Sequence, residues 1–443
     1  MFRTLANAWK IPDLKKKLLF TLFIILIYRV GACLPVPFIE SGALENASMG
    51  NGTILGFVSI LSGNAFQYAT LFALGVSPYI TASIVIQLLT IAIPALERLA
   101  KKGEEGKEKI AQITRYITIA ISVVTSIGYY FLLKNQFGAL RVGYEGPFYA
   151  VVIIACLVAG SSVVMWLAEK INVSGIGNGI SIILFANIVS RMPTTGIAMI
   201  NTIIDRPIGG TIFAICYAAV MLALVWFVIY ISDSERRIPV QYAKKVVGRK
   251  MYGGQSSNLP IKLNMTGVMP IIFANAILTL PATIVGFTGY PENTFWRAVL
   301  LQFDPSNSNV AWTYVVLQFL LIIAFAYFYV AISFNPIEVS GNLQKNGGSI
   351  PGIRPGKATS DFISKVLSRI TLIGALALSV ISVLPLIIKF IMAYIPKVQD
   401  FSNGFANIAF GGTSIIIVVG VILETIREIE AQMTMRHYKG FLE

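Results

Sequence analysis

The chain has 443 residues, of which 56% are hydrophobic and 13% charged, and its mean hydropathy is +0.74; soluble domains carry roughly one-quarter charged residues. This excludes a soluble globular protein, and no segment between the apolar runs reaches the roughly 100 residues of a separate soluble domain. The formal net charge is +14, and the single histidine, His437, lies in the tail, which excludes histidine-based proton relays within the membrane.

In chain order, the start "MFRTLANAWKIPDLKKKLLFTLFIILIYRVGAC" offers a basic head, an apolar run and a "VGAC" box similar to a lipoprotein cleavage site. Arg29 interrupts that run and many further apolar segments follow, so an uncleaved first span is expected over 18–34. Arg29 has two readings: a functional charge at membrane depth, or a long side chain near the outer end that snorkels to the interface. Next comes "TILGFVSIL" (53–61), bounded by Gly50, Gly52 and Gly63. It is too short to span, and is either an interfacial helix or a re-entrant piece.

Further spans are expected at 75–96, 112–133, 148–168, 176–191, 210–231, 265–287, 310–333, 370–391 and 409–426, each near the ~18 residues needed to cross hydrocarbon. The fifth opens with "GIGNGIS", where glycine and asparagine blur its start. With the N-terminus inside, the inner segments 1–17, 97–115, 169–175, 232–264, 334–369 and 427–443 hold 27 of the 35 Lys+Arg and 13 of the 21 Asp+Glu. The whole net charge then lies on one side, which makes that side, and both termini, cytosolic.

The segment "PGIRPGKAT" (351–359) is similar to a phosphate-binding loop but has one residue too few between Gly352 and Gly356, and Ala358 where Ser or Thr would hold magnesium. Pro351 and Pro355 are also expected to rule out a regular helix close behind it. Cys33, Cys156 and Cys216 lie far apart, without disulfide or metal spacing. No catalytic residue, metal or cofactor is expected, and the chain is not expected to be an enzyme.

Two stretches repeat. "GVSPYITAS" from Gly75 matches "GVMPIIFAN" from Gly267, and "GISIIL" from Gly179 matches "GTSIII" from Gly412. Spans two and five thus correspond to seven and ten, dividing the chain into two five-helix halves, 1–209 and 210–443. Five is odd, so the halves are inverted about an axis in the membrane plane, and related elements share a level only at the midplane. Pro78 and Pro270 suit a first helical turn, each three residues after a glycine that frees the backbone. Val76, Ile80, Leu184, Ile272 and Ile417 would then crowd a central pathway, where an aliphatic constriction blocks ions by dewetting.

These residues carry a resemblance. "FALGVSPYITASIVIQLLT" (72–90), "GIGNGISIILFANIV" (175–189), "ERRIPVQYAKK" (235–245), "KLNMTGVMPIIFA" (262–274), "FNPIEVSGNLQKNGGSIPGIRPG" (334–356) and "FGGTSIIIVV" (410–419) resemble the bacterial SecY family, the central subunit of the Sec protein translocation channel. The fold implied is an all-α polytopic membrane protein with ten transmembrane helices in two inverted halves and a short re-entrant plug helix at about 53–66. The function implied is a protein-conducting channel that passes unfolded polypeptides and releases apolar segments sideways into lipid.

The resemblance implies a pore ring at Val76, Ile80, Leu184, Ile272 and Ile417. It implies a plug that includes Thr53, Ile54, Leu55, Phe57, Val58, Ile60 and Leu61, and a lateral gate at or near Thr81, Gln87, Asn275 and Leu280. Two cytosolic loops, 232–264 and 334–369, would dock the ribosome or the SecA ATPase, with Arg249, Lys250 and Arg354 as contacts. SecE and SecG subunits, secretory and membrane polypeptides and the lipid bilayer are the other implied partners, and the bacterial cytoplasmic membrane the location. The alternative is an inverted-repeat solute transporter, which normally needs acidic or histidine side chains buried in its spans. Glu424 is the only acidic residue within the expected spans and no histidine falls in them; Glu424, like the cation Arg29, lies toward a helix end.

Overall fold

The structure, a computed structural model, describes residues 8–40, 62–63, 65–136, 138–141, 143–144, 146–205, 207–242, 245–247, 250–252, 256–288, 294–303, 311–394 and 412–439. Helices occupy all ten expected segments. They are α1 (Pro12–Cys33), the pair α2 (Ser77–Ala92) and α3 (Pro94–Ala100), α4 (Glu104–Phe131), α5 (Pro147–Ser174), α6 (Gly179–Ser190), α8 (Pro207–Asp233), α9 (Met269–Thr288), α11 (Ala311–Ser333), α13 (Lys357–Tyr394) and α14 (Gly412–Lys439). Among the further helices that were not expected are α7 (Met192–Asp205), α10 (Thr294–Leu301) and α12 (Pro336–Lys345). Among the described residues, six helical stretches are long and apolar enough to cross a membrane, and seven if α2 and α3 count as one. α9 falls outside that group because it counts only over Met269–Pro281, and α1 and α14 because charges such as Lys16, Lys17 and Arg29, or Glu424, Arg427 and Glu428, interrupt them. The chain is an all-α polytopic membrane protein.

The helix starts follow local chemistry. Gly75 (φ +53°) and Gly267 (φ +60°) both adopt the left-handed backbone that favours glycine. Helices begin two residues later, at Ser77 and Met269, with a proline next in each. α6 begins at Gly179 because the Asn178 side chain accepts from the Ile180 N–H at 3.1 Å, a side-chain cap. α14 begins at the matching glycine, Gly412.

Two expectations need correction. The second span, 75–96, is not one helix: α2 and α3 meet at a 105° bend. Pro94 disfavours helical backbone at the residue before it, and Ile93 is extended (φ −109°, ψ 112°). Pro351 and Pro355 do not delay the next helix, since α13 starts at Lys357 and runs 38 residues. Proline restricts the residue before it rather than those after it, so a helix can begin just beyond Pro355.

α9 packs against α2 and α4 across the seam between the two expected halves, while α11 joins α9 to α13, and α14 contacts α6, α8 and α13. The largest buried cluster centres on Tyr28, Val76, Ile80, Leu184, Ile272 and Ile417. A smaller cluster joins Phe66, Tyr129, Leu132 and Ile153.

The segments expected as two separate loops share one small sheet. β1 (Glu235–Tyr242) pairs antiparallel with β4 (Ser256–Lys262), Glu235 opposite Lys262, and β5 (Gly348–Ser349) adds to its other edge, Gln241 opposite Ser349. The short pair β2 (Lys245–Val247) and β3 (Lys250–Tyr252) lies between β1 and β4 in the chain. Along β1, Ile238 and Val240 alternate inward and meet Ile261, Ile350, Ile363 and Leu367. That apolar contact makes the two loops one body on the ends of α11 and α13.

Candidate functional site

All five residues of the expected ring are buried in the same cluster. Ile80, Leu184, Ile272 and Ile417 line one cavity of about 50 Å³, together with Ser77, Thr81, Asn275, Ala276 and Thr279. These walls come from α2, α6, α9 and α14, four helices distant in sequence. The cavity volume corresponds to about two waters at liquid density, so a polypeptide can enter only if the aliphatic side chains separate. Val76 is not in the lining; it sits in the same cluster, one residue before α2.

A second, wider cavity of about 380 Å³, with a mixed polar and apolar lining, draws part of its wall from α9 and α14, which also line the waist. Val268 and Met269, just before Ile272, and Gly420 and Leu423, just after Ile417, form part of its wall. Asn178, Ser232, Lys262, Asn264, Thr266, Glu424 and Arg427 supply polar groups. Arg427 donates to the Ser232 carbonyl at 2.7 Å and pairs with Asp233 at 2.9 Å. Burial, then the nearby Arg427 charge, lowers the Lys262 ammonium below its ordinary value, partly offset by Asp233 and Glu235.

Of the expected gate residues, Thr81 and Asn275 meet at the waist cavity. Gln87 does not line it; its amide donates to Ser83 Oγ at 3.4 Å on the same helix. Leu280 is exposed on α9, beside Pro281. Asn275 belongs to a group that sequence reasoning missed. Buried Gln318 of α11 donates through Nε2 to Asn275 Oδ1 and to Ser382 Oγ of α13, each at 3.1 Å. A glutamine inside the apolar run "VVLQFLLII" was the available signal.

Arg29 does not snorkel. Its guanidinium turns into the bundle and donates to the Ala186 carbonyl and, at 3.2 Å, to Asn187 Oδ1 on α6. The buried Asn187 was likewise missed, although it too stands out inside an apolar run.

Of the expected docking residues, Arg354 is exposed on a turn with Gly352 (φ +81°) and Gly356 (φ +99°). That turn is held by Thr359, which donates to the Arg354 carbonyl at 2.9 Å, and Ser340, which donates to the Gly356 carbonyl at 2.7 Å. Lys250 opens β3. Arg249 lies outside the described residues, as do the plug positions Thr53, Ile54, Leu55, Phe57, Val58, Ile60 and Leu61.

A sequence profile of the SecY family matches residues 70–426. The chain is 43% identical to the protein translocase subunit SecY of Streptomyces galbus, covering 100% of both chains. It is 40% identical to that of Mycobacterium bovis (strain ATCC BAA-935 / AF2122/97), again covering 100% of both. Among solved structures, a protein conducting channel matches with TM-score 0.66 at 18% identity, covering 95% of this chain and 92% of that one. Sec61 in the canine ribosome-channel complex from the endoplasmic reticulum matches with TM-score 0.62 at 17% identity, covering 95% and 92%. At these identities the structural likeness speaks for the fold alone. The translocase subunits, similar from end to end, and the matching profile carry the conclusion that this chain belongs to the SecY family.

Proposed function

We propose that this protein is a protein-conducting channel, which translocates unfolded polypeptides across the bacterial cytoplasmic membrane and releases apolar segments sideways into lipid. The observation that carries this reading is the neutral aliphatic waist, Ile80, Leu184, Ile272 and Ile417, with a wider vestibule of partly polar lining built in part from the same α9 and α14. A narrow aliphatic constriction resists ions. It has no fixed charge that a substrate must match, so side chains of any type can pass once it parts. The solute-transporter alternative gains no support from the relatives, which are translocase subunits.

The two halves, 1–209 and 210–443, act as inverted lobes, and the seam where α9 meets α2 and α4 is the lateral gate. The segment 53–66 plugs the waist at rest. Sorting at the gate follows from transfer energies: a central leucine favours lipid by about 0.3–0.6 kcal/mol, so ten give roughly 3–6 kcal/mol, whereas one central Lys or Asp costs about 2.5–3.5 kcal/mol. Strongly apolar segments leave sideways and polar ones pass through.

Both termini and the joined loop body face the cytosol, where the ribosome or the SecA ATPase docks on Arg249, Lys250 and Arg354; basic groups suit acidic protein surface or RNA phosphate. SecE and SecG complete the complex. The protein itself carries out no covalent chemistry.

The test is reconstitution of the chain with its partner subunits in vesicles. A secretory precursor should become protease-protected with added ATPase, and Arg354→Glu should impair this while leaving membrane insertion of the channel intact. No protected precursor refutes the channel reading, and full transport by Arg354→Glu refutes the docking role.

A further inference from the structure

Arg29 lies within α1, and its cation is directed at neutral oxygens. Nη2 donates to the Ala186 carbonyl and to Asn187 Oδ1 at 3.2 Å. Both acceptors sit near the C-terminal end of α6, where the helix carries partial negative charge. Leu184, a wall of the waist, lies two residues before Ala186 on the same helix.

The same point of α1 holds the segment that leads into α2. Gly63 (φ +64°) packs so closely that a Cβ there would stand 2.9 Å from Arg29 Nη1 and 2.9 Å from Asn187 Oδ1. Beside Arg29, Tyr28 stacks on Phe72 with ring centroids 5.6 Å apart, and Gly31 leaves the space that the Phe72 ring fills. The Phe66 N–H donates to Ser62 Oγ at 3.1 Å, and the Tyr129 hydroxyl donates to the Phe66 carbonyl at 2.6 Å. Val76 follows this pinned stretch directly and Ile80 lies one turn further on.

We infer that Arg29 is a positioning residue for the resting seal: it clamps α6, with Leu184, to the segment ahead of Val76 and Ile80, making one rigid side of the waist. The inference rests on the channel reading above and concerns closure at rest, not transport. Separating α6 from that segment breaks the clamp, so Arg29 biases the waist toward its closed state. A hydrogen bond to a charged group is worth a factor of about ten to one hundred in such an equilibrium.

The test uses the complete channel complex in phospholipid vesicles, with two readouts: halide leak through resting channels, and precursor transport. Arg29→Met should raise the leak about tenfold or more while transport continues. Arg29→Lys, which keeps the charge, should restore most of the seal. Asn187→Leu should leak as well, and the double variant no more than the leakier single one, because both break one clamp. Gly63→Ala keeps every polar group and forces the clamp apart, so it should also leak; it decides the matter if Arg29→Met does not fold. Unchanged leak in the deciding variant overturns the inference, as does a double variant whose leak multiplies the two singles. If the unsubstituted complex transports no precursor, the channel reading has failed instead, which keeps the two failures distinct.

Discussion

On one side of the waist Leu184 and Ile80 are flanked by a cation, Arg29, which reaches from α1 to α6 and packs on Gly63. On the other, Ile272 stands near a neutral amide group, Gln318 with Asn275 and Ser382, confined to α9, α11 and α13. The first joins a helix to an irregular segment, whereas the second joins three long helices. Polar groups in an apolar bundle hold elements together only while they are satisfied. The amide group is less complete, since Gln318 Oε1 is buried with no partner among the described residues. It is therefore the side on which apolar replacement should cost least.

The largest effects should come from the glycines at which each side lets a helix touch a carbonyl. A Cβ on Gly160 of α5 would collide with the Leu71 carbonyl oxygen, and one on Gly374 of α13 with that of Leu263. Gly160→Val and Gly374→Val should each destabilise by about 3 kcal/mol, read as thermal unfolding of the purified complex. Equal losses would show that both sides depend alike on close backbone approach.

A smaller and more discriminating effect is expected at the amide group. Gln318→Leu leaves buried Asn275 and Ser382 without that donor and should cost about 1–3 kcal/mol. Replacing all three, with Asn275→Leu and Ser382→Ala, should recover most of the loss, because no polar group is then stranded. If the triple variant is worse than Gln318→Leu alone, the amide group holds its side as firmly as the cation does.

The smallest effect belongs to the vestibule. Lys262 has a lowered pKa in the folded protein, so its charged form is disfavoured there; the favourable contribution appears above the unfolded value, 10.5, and is lost as pH falls. Lys262→Gln should therefore raise the thermal midpoint slightly at pH 7, with the gain shrinking as pH approaches 10.5. A gain that persists at high pH would assign the effect to packing.

Much of this arrangement could be read in the sequence because it is local. Long apolar runs became helices, and the glycines at 75 and 267 took the left-handed backbone that their place before Pro78 and Pro270 suggested. The partners of the polar groups were not legible, because they are set by packing: Gln318 lies 43 residues from Asn275 and 64 from Ser382, and Arg29 lies 158 from Asn187. Of the two readings left open for Arg29, the snorkelling one weighed its depth but not the carbonyl and amide waiting on α6. The β1–β4 pair was not expected; the alternation of Ile238 and Val240 was an available signal, obscured by the surrounding charges. The bend at Ile93 follows from Pro94, a stop signal inside a run that hydropathy alone treated as continuous.

The central claim is that a moving polypeptide threads between α2 and α9 at the waist. Single cysteines placed at Val76 and at Ile272 in an otherwise cysteine-free complex, each challenged with an arrested translocating chain that carries one cysteine, test it most directly. Crosslinks from both positions to the same stretch of the chain are predicted, and absence of a crosslink from either, with transport intact, would contradict a shared waist.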